Sequence, residues 1–272
     1  MQDLFKGLEN LGFNNLKKVE VFGKKPTLDE NVKPVEEKKI ITEEDFLYKK
    51  IITCPICGNE FEERIVKKTK LRAVSYDFDL KPNFEHINPL IYDIFMCDKC
   101  GYTAMNRFFD KIWGKRAEFI EEQVTPKFKP REYPFVLSLD DALERYKLAL
   151  YNAVVKKAVS SEKAYICMKL GWLYRAKKDE ENEKLFLKNA RAGLIEAYET
   201  EHMPICDMNE HTVAFLIAAF SKIIGNSEEA LRWVSPIILS RTAMDRTKQR
   251  ALDLKHEIQK DIEALKKKSE KA

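Results

Sequence analysis

Long apolar runs are missing from this chain of 272 residues. The longest, Val213 to Phe220, falls far short of the about 20 residues that a bilayer crossing needs, so no membrane span is expected. The opening residues hold no apolar core between a basic flank and a small-residue cleavage site, which argues against a secretory signal. A dominant charge is missing too. Against 48 basic residues stand 44 acidic ones, and the resulting +4 is too weak a global field to demand nucleic acid or an anionic membrane. No segment announces a catalytic apparatus. What is present is an ordinary hydrophobic fraction of 44%, a charged fraction of 34% above the usual quarter, and length for one large domain or two ordinary ones.

Within that composition, four of the six cysteines form two matched pairs, Cys54-Pro55-Ile56-Cys57-Gly58 and Cys97-Asp98-Lys99-Cys100-Gly101. Each is a Cys-x-x-Cys closed by glycine, where the chain must turn back sharply. Two such turns aim four thiolates at one tetrahedral Zn²⁺, about 2.3 Å from each sulfur. The rival readings are a redox dithiol and a labile disulfide pair. A redox motif opens a helix after a strand, whereas these motifs close into glycine in an extended context. With no export signal, a reducing cytosol keeps the thiols free for metal. One structural Zn²⁺ per chain, held by Cys54, Cys57, Cys97 and Cys100, is therefore predicted. A catalytic zinc is disfavoured because thiolates fill all four positions.

The sequence divides into four stretches. In residues 1–22, Leu4, Leu8 and Leu11 share a helical face that Gly12 stops, which suits either a frayed end or a partner-binding helix. Residues 23–45 are rich in Lys and Glu, carry Pro26 and Pro34, and read as a charged linker. Residues 46–131 read as a zinc ribbon. Ile51 to Thr53 lead into the first knuckle, Phe61 to Val74 form a strand, and Tyr92 to Met96 deliver the chain to the second. Tyr76 to Leu90 reads as a long loop within it, and Tyr102 to Phe109 as a helix beside the metal. From residue 132 to 272 the pattern is helical, with Ser138 or Asp140 as the first cap and further helices over 164–176, 180–198, 210–224, 227–239 and 242–268.

Local signatures in the helical half match a 34-residue helical repeat: Ala142, Tyr146 and Ala149, then Leu170-Gly171 with Tyr174, then Leu187 and Ala190, and more weakly Gly225, Ala230 and Val234. The fold class expected is α+β, mostly α: a small zinc-ribbon-like β domain followed by a tetratricopeptide-like stack of helical hairpins. A narrow stripe from Leu252 through Lys255, Ile258, Ile262 and Leu265 reads as a helix capping that stack.

Three other groups of residues are candidate sites. Arg64, Lys68, Lys70 and Arg72 would share one face of a strand and contact phosphates, with Tyr76 and Phe78 to stack on bases. Glu60, Glu62, Glu63, Asp77 and Asp79 flank that run, so a solvated face is the plainer reading. Asp77 and Asp79, near Glu85, His86 and Asp93, suggest an acidic loop site, although turn capping explains them equally. His202, Cys206 and His211 imitate a metal site but fall in a Pro204-broken loop, and Cys167 suits a small core position.

Together the two knuckles, Asp77-x-Asp79-x-x-Pro82, Asn88-Pro89-x-x-Tyr92 and the Cys97-x-x-Cys100-Gly101-Tyr102-x-Ala104 closure resemble a bacterial family, the uncharacterised domain-of-unknown-function family 2225. The likeness runs from about Phe46 into the C-terminal helices, and the opening Leu4-Phe5-x-Gly7-Leu8-Glu9 looks like that of anaerobe-type members. It implies a zinc-ribbon-like head on a tetratricopeptide-like body and brings no established activity with it. The expected function is a non-catalytic, cytoplasmic adaptor whose helical groove holds a protein or peptide. The alternatives are nucleic-acid binding through the basic strand, and an enzyme using the acidic loop.

Overall fold

The computed structural model describes residues 41–269, with side chains to residue 264. The expected N-terminal helix and most of the expected linker lie outside the described residues, as does the Leu265 side chain. The described chain is mostly helical, with three small antiparallel strand pairs ahead of a stack of helices.

The first pair is β1 (Leu47–Thr53) and β2 (Glu60–Val66), joined through the first knuckle with Ile52 opposite Phe61. Phe61 and Glu63 point inward and Glu60 and Glu62 outward, the period-two alternation of a half-buried strand. β3 (Ala73–Tyr76) and β4 (Pro82–Phe84) form a second hairpin, and β5 (Ile94–Met96) with β6 (Thr103–Met105) brackets the second knuckle. Two sequence expectations are corrected here. The strand expected to run to Val74 stops at Val66, because Lys68–Lys70 turns in a 3-10 helix. The helix expected from Tyr102 begins only at Asn106, since Thr103–Met105 is fully buried strand; only the short α1 (Asn106–Phe109) is helical.

After α2 (Lys115–Gln123) and a 3-10 turn at Thr125–Lys127, the chain runs in irregular conformation to Ser138 and then enters α3 (Leu139–Val155), α4 (Ser160–Lys177), α5 (Glu180–Thr200), α6 (Glu210–Ile223), α7 (Ser227–Leu239) and α8 (Asp245–Ser269). Their starts are chemically marked. Ser138 Oγ accepts from Asp141 N at 3.1 Å while the Asp141 carboxylate accepts from Ser138 N at 3.0 Å, a capping box. Asp179, Asn209 and Asn226 cap α5, α6 and α7 with one-way bonds, each side chain accepting from the backbone N–H three residues on.

Small residues set the helix crossings. A Cβ on Gly171 of α4 would lie 2.5 Å from Leu187 Cδ2 on α5, and one on Gly193 would lie 2.9 Å from Ala164 Cβ. The side chains singled out for the repeat pattern, Ala142, Tyr146, Ala149, Leu170, Tyr174, Leu187, Ala190, Ala230 and Val234, are all buried. α8 lies on α6 and α7 and closes the stack through Ala251, Leu254 and Ile258, with Ile262 half-buried. The stripe is thus offset from the expected one: Ala251 and Leu254 take the places assigned to Leu252 and Lys255.

The strand region and the helices share buried polar ties. The Glu63 carboxylate accepts from Arg145 of α3 and from Met96 N, 3.0 Å away, while the same guanidinium donates to Ile94 O at 2.8 Å. Asn152 Oδ1 accepts from Thr103 N at 3.3 Å. Arg107 donates to Cys206 O, in the α5–α6 loop, at 3.2 Å.

Candidate metal centre

Each knuckle is a tight turn whose first cysteine closes two hydrogen bonds. Cys54 O accepts from Gly58 N at 3.0 Å and Cys54 N donates to Asn59 O at 2.8 Å. Cys97 O accepts from Gly101 N at 3.1 Å and Cys97 N donates to Tyr102 O at 2.9 Å. Gly58 and Gly101 have φ of +68° and +75°, where a side chain is strained. At Gly101 a Cβ would also strike the Phe128 ring at 2.4 Å.

These turns bring all four Sγ atoms within 4.8 Å of one another. Cys54 and Cys100 sulfurs are 3.6 Å apart, as are those of Cys57 and Cys97. Tetrahedral ligation with 2.3 Å bonds requires sulfurs ~3.8 Å apart, while a disulfide requires ~2.05 Å. The spacing fits four ligands on one ion and is too long for a disulfide. Neither motif opens a helix, so the redox arrangement finds no support in the backbone.

Cys54, Cys97 and Cys100 are buried and Cys57 is half-buried. Around them the Tyr102 ring lies 4.9 Å from that of Phe109, which meets Phe61 and Phe95 edge-on, and Tyr102 Oη donates to Phe109 O at 3.0 Å. This apolar wall raises the cost of isolated charge. Among themselves, hydrogen bonds from Cys100 and Cys54 hold the Cys97 thiol below its ordinary range, while those with Cys54 and Cys97 push Cys100 up. Thiolates crowded this closely repel one another, and a divalent cation held by the four sulfurs would offset that repulsion by taking the place of the protons.

The four basic residues do not share a strand face. Arg64 alone lies on β2, and its Nη2 donates to Tyr133 O at 2.6 Å. Lys68 and Lys70 sit on the 3-10 turn, where Lys70 Nζ donates to Asp45 O at 3.0 Å, and Arg72 lies exposed beyond it. Tyr76 and Phe78 are exposed, but cations of their own chain already approach their rings: Arg246 and Arg250 flank Tyr76, and Lys222 lies 5.4 Å from the Phe78 centroid.

Asp77 and Asp79 converge, but on Arg175 of α4. Asp77 Oδ2 accepts from Arg175 Nη1 at 2.8 Å, and fully buried Asp79 takes both guanidinium nitrogens and Trp172 Nε1, at 2.8 Å from the indole. Burial works against the Asp77 charge, yet hydrogen bonds from Asn83 and Arg175 hold its carboxyl below the usual range. Cys167 is a buried core residue whose thiol burial pushes up to about 12. His202, Cys206 and His211 do not gather as metal ligands; Cys206 Sγ points at Ser161 O.

Two constellations carry little sequence signal. Glu63 and Arg145 are 82 positions apart, and only the buried register of β2 marks the glutamate as unusual. Lys169 is buried against the rings of Tyr165 and Trp172, 5.0 and 4.7 Å away, and burial lowers its ammonium to about 8.

The fold and site define a class of protein in which a four-cysteine cluster, set for one metal ion between two knuckles, is built onto a stack of helices. The chain belongs to the family described as uncharacterized protein conserved in bacteria, domain-of-unknown-function family 2225, whose model matches residues 47–261. No curated protein and no solved structure matches the chain. Among the described residues no helix is long and apolar enough to cross a membrane.

Proposed function

We propose that this is a structural zinc protein whose helical stack serves as a scaffold for protein partners in the reducing cytoplasm. The observation that carries the reading is the closed, all-thiol donor set: four sulfurs at tetrahedral spacing, three of them buried, with no position left for substrate. Zinc suits four thiolates because it tolerates tetrahedral sulfur without redox change. Its chemistry here is cross-linking, which fixes β1–β2 to β5–β6 and so places the strands against α3. Asp77 and Asp79 are occupied in holding Arg175, which supports a scaffold over a reaction centre. Helical hairpins crossing at small residues, as at Gly171 and Leu187, suit a tetratricopeptide-like surface for peptide or protein segments.

Metal analysis of reduced protein, combined with in-cell cross-linking and peptide mapping, tests this reading. One zinc per chain and cross-links concentrated on α3–α8 are expected. Absence of metal, or a partner-free chain that turns over a small molecule, would overturn it.

A further inference from the structure

Among the described residues, β2 pairs with β1 on one side only. Lys67 N donates to Phe46 O at 2.8 Å, and Cys54 N donates to Asn59 O at 2.8 Å, so the odd-numbered residues of β2 turn their main-chain groups towards β1. Glu60, Glu62 and Arg64 turn theirs the other way. On that outer edge the Arg64 N–H is taken by Glu63 Oε2 at 3.3 Å, while the N–H and C=O groups of Glu60 and Glu62 meet no partner among the described residues.

This edge opens onto a cleft of about 800 Å³, lined by Glu60 to Arg64 on one side and by Arg131, Glu132 and Tyr133 on the other. The far wall is the irregular segment before α3, tethered to β2 by the Arg64–Tyr133 hydrogen bond. At the floor lies Arg145, 1% exposed, whose Nε and Nη1 find no acceptor among the described residues. The charges of the cleft are unevenly committed. Lys49 is paired with Glu62, Arg145 with Glu63, and Arg131 with Asp141 and Glu144, while Arg64 is held by Tyr133 O rather than by a carboxylate. Exposed Glu60 and Glu132 have no cationic partner among the described residues, and Asp98, at one end, has only the Asn59 amide.

We propose that the outer edge of β2 is a docking site for an extended, basic segment of a partner protein, which adds as a strand between Glu60–Arg64 and the Arg131–Tyr133 wall. An unpaired strand edge fits main chain in extended form above other ligands, because alternating N–H and C=O groups recur at the spacing that it presents. About five residues, at ~3.4 Å each, match the edge. The segment's carbonyls bring acceptors to the Glu60 and Glu62 N–H groups and to the depth at which Arg145 lacks them. Its Lys or Arg side chains meet Glu60, Glu132 and Asp98. The site rests on the scaffold reading and names a partner class for it, on a surface other than the helical stack.

The test uses the full chain loaded with zinc and three synthetic octapeptides: one alternating lysine and valine, its glutamate–valine counterpart, and the lysine peptide N-methylated at alternate bonds. The lysine peptide is expected to bind, to slow hydrogen exchange at the Glu60 and Glu62 amides, and to weaken at least tenfold on N-methylation. The glutamate peptide is expected not to bind. Glu62→Pro removes an outward N–H, together with the carboxylate that pairs with Lys49, and is expected to abolish binding; Glu60→Lys with Glu132→Lys, both exposed, gives the same loss should the proline disturb folding. Equal binding of the N-methylated peptide would show charge attraction alone and overturn the proposal, as would unprotected amides or no binding. Partners cross-linked to α3–α8 in the same preparation would leave the scaffold reading standing when this site fails.

Discussion

Arg175 grips Asp79 through two parallel hydrogen bonds, 2.9 Å to Oδ1 and 2.6 Å to Oδ2, although 96 positions separate them. The pair ties the β3–β4 hairpin to α4, and a third partner, Glu183 of α5, accepts from Arg175 Nε at 2.8 Å. Asp79 is fully buried, so neither charge can be left alone without cost. Arg175→Leu is expected to destabilise the fold by about 3–5 kcal/mol, because it strands a buried carboxylate. Arg175→Leu combined with Asp79→Leu should cost less than the arginine change alone. Urea denaturation of the three proteins checks this; simple additivity would show that the pair is not coupled.

Metal removal has a defined reach. Chelation of the reduced protein is expected to expose four reactive thiols, those of Cys54, Cys57, Cys97 and Cys100, and to loosen β1–β2 and β5–β6. Most helical circular dichroism should persist, since α4 to α8 have their own buried faces. α3 is the exception, as its Arg145 and Asn152 bond to the strand region. Cys167 should stay unlabelled in both states because burial holds its thiol up near 12, so the labelling count separates ribbon opening from global unfolding. Cys97→Ser should resemble the chelated protein.

The cluster was legible because its logic is local: two cysteines two apart and a glycine to reverse the chain state the turn within five residues. The helices were legible for the same reason: Ser138 caps α3, and the starts expected at residues 180, 210 and 227 are those of α5, α6 and α7. What escaped was non-local or weakly patterned. α2 buries only Ile120, so no apolar stripe announced it. The roles of Asp79 and Glu63 depend on arginines 96 and 82 positions away, and no periodicity encodes such a pairing. The basic run misled because alternation was read through Lys68–Lys70, where the backbone turns.

Helix packing at Gly171 leaves no room for a side chain. Gly171→Val is expected to cost about 1–3 kcal/mol through overpacking against Leu187, and Leu187→Ala in the same chain should recover part of the loss although each change alone destabilises. Thermal melts of the two single variants and the double variant read the coupling; an additive double would move the tight contact elsewhere.

Nucleic acid is expected to bind weakly at physiological salt. Arg64 is turned to Tyr133 O and Lys70 to Asp45 O, which leaves Lys68 and Arg72 as dispersed surface charges. Few phosphates would be neutralised, so the salt dependence should be shallow. A submicromolar affinity that falls steeply with salt and disappears in Lys68→Glu with Lys70→Glu would reverse this expectation.

Lys169 gives the stability a pH signature. Burial lowers its ammonium to about 8 from an ordinary 10.5, although Asp93 pulls the other way, and no acceptor within ion-pair distance offsets the burial among the described residues. Between those two values the unfolded chain holds a proton that the folded chain has lost, so stability rises with pH across that window. Lys169→Met removes the titration. The stability of the unaltered protein minus that of Lys169→Met should therefore climb between pH 8 and pH 10.5, by up to about 3 kcal/mol, and stay flat below pH 8. At neutral pH the methionine variant should be at least as stable, since a desolvated ammonium held only by the faces of Tyr165 and Trp172 is replaced by a side chain that needs no acceptor. Urea titrations of both proteins at stepped pH give the difference directly. A flat line throughout would place the Lys169 ammonium in contact with water or with a carboxylate.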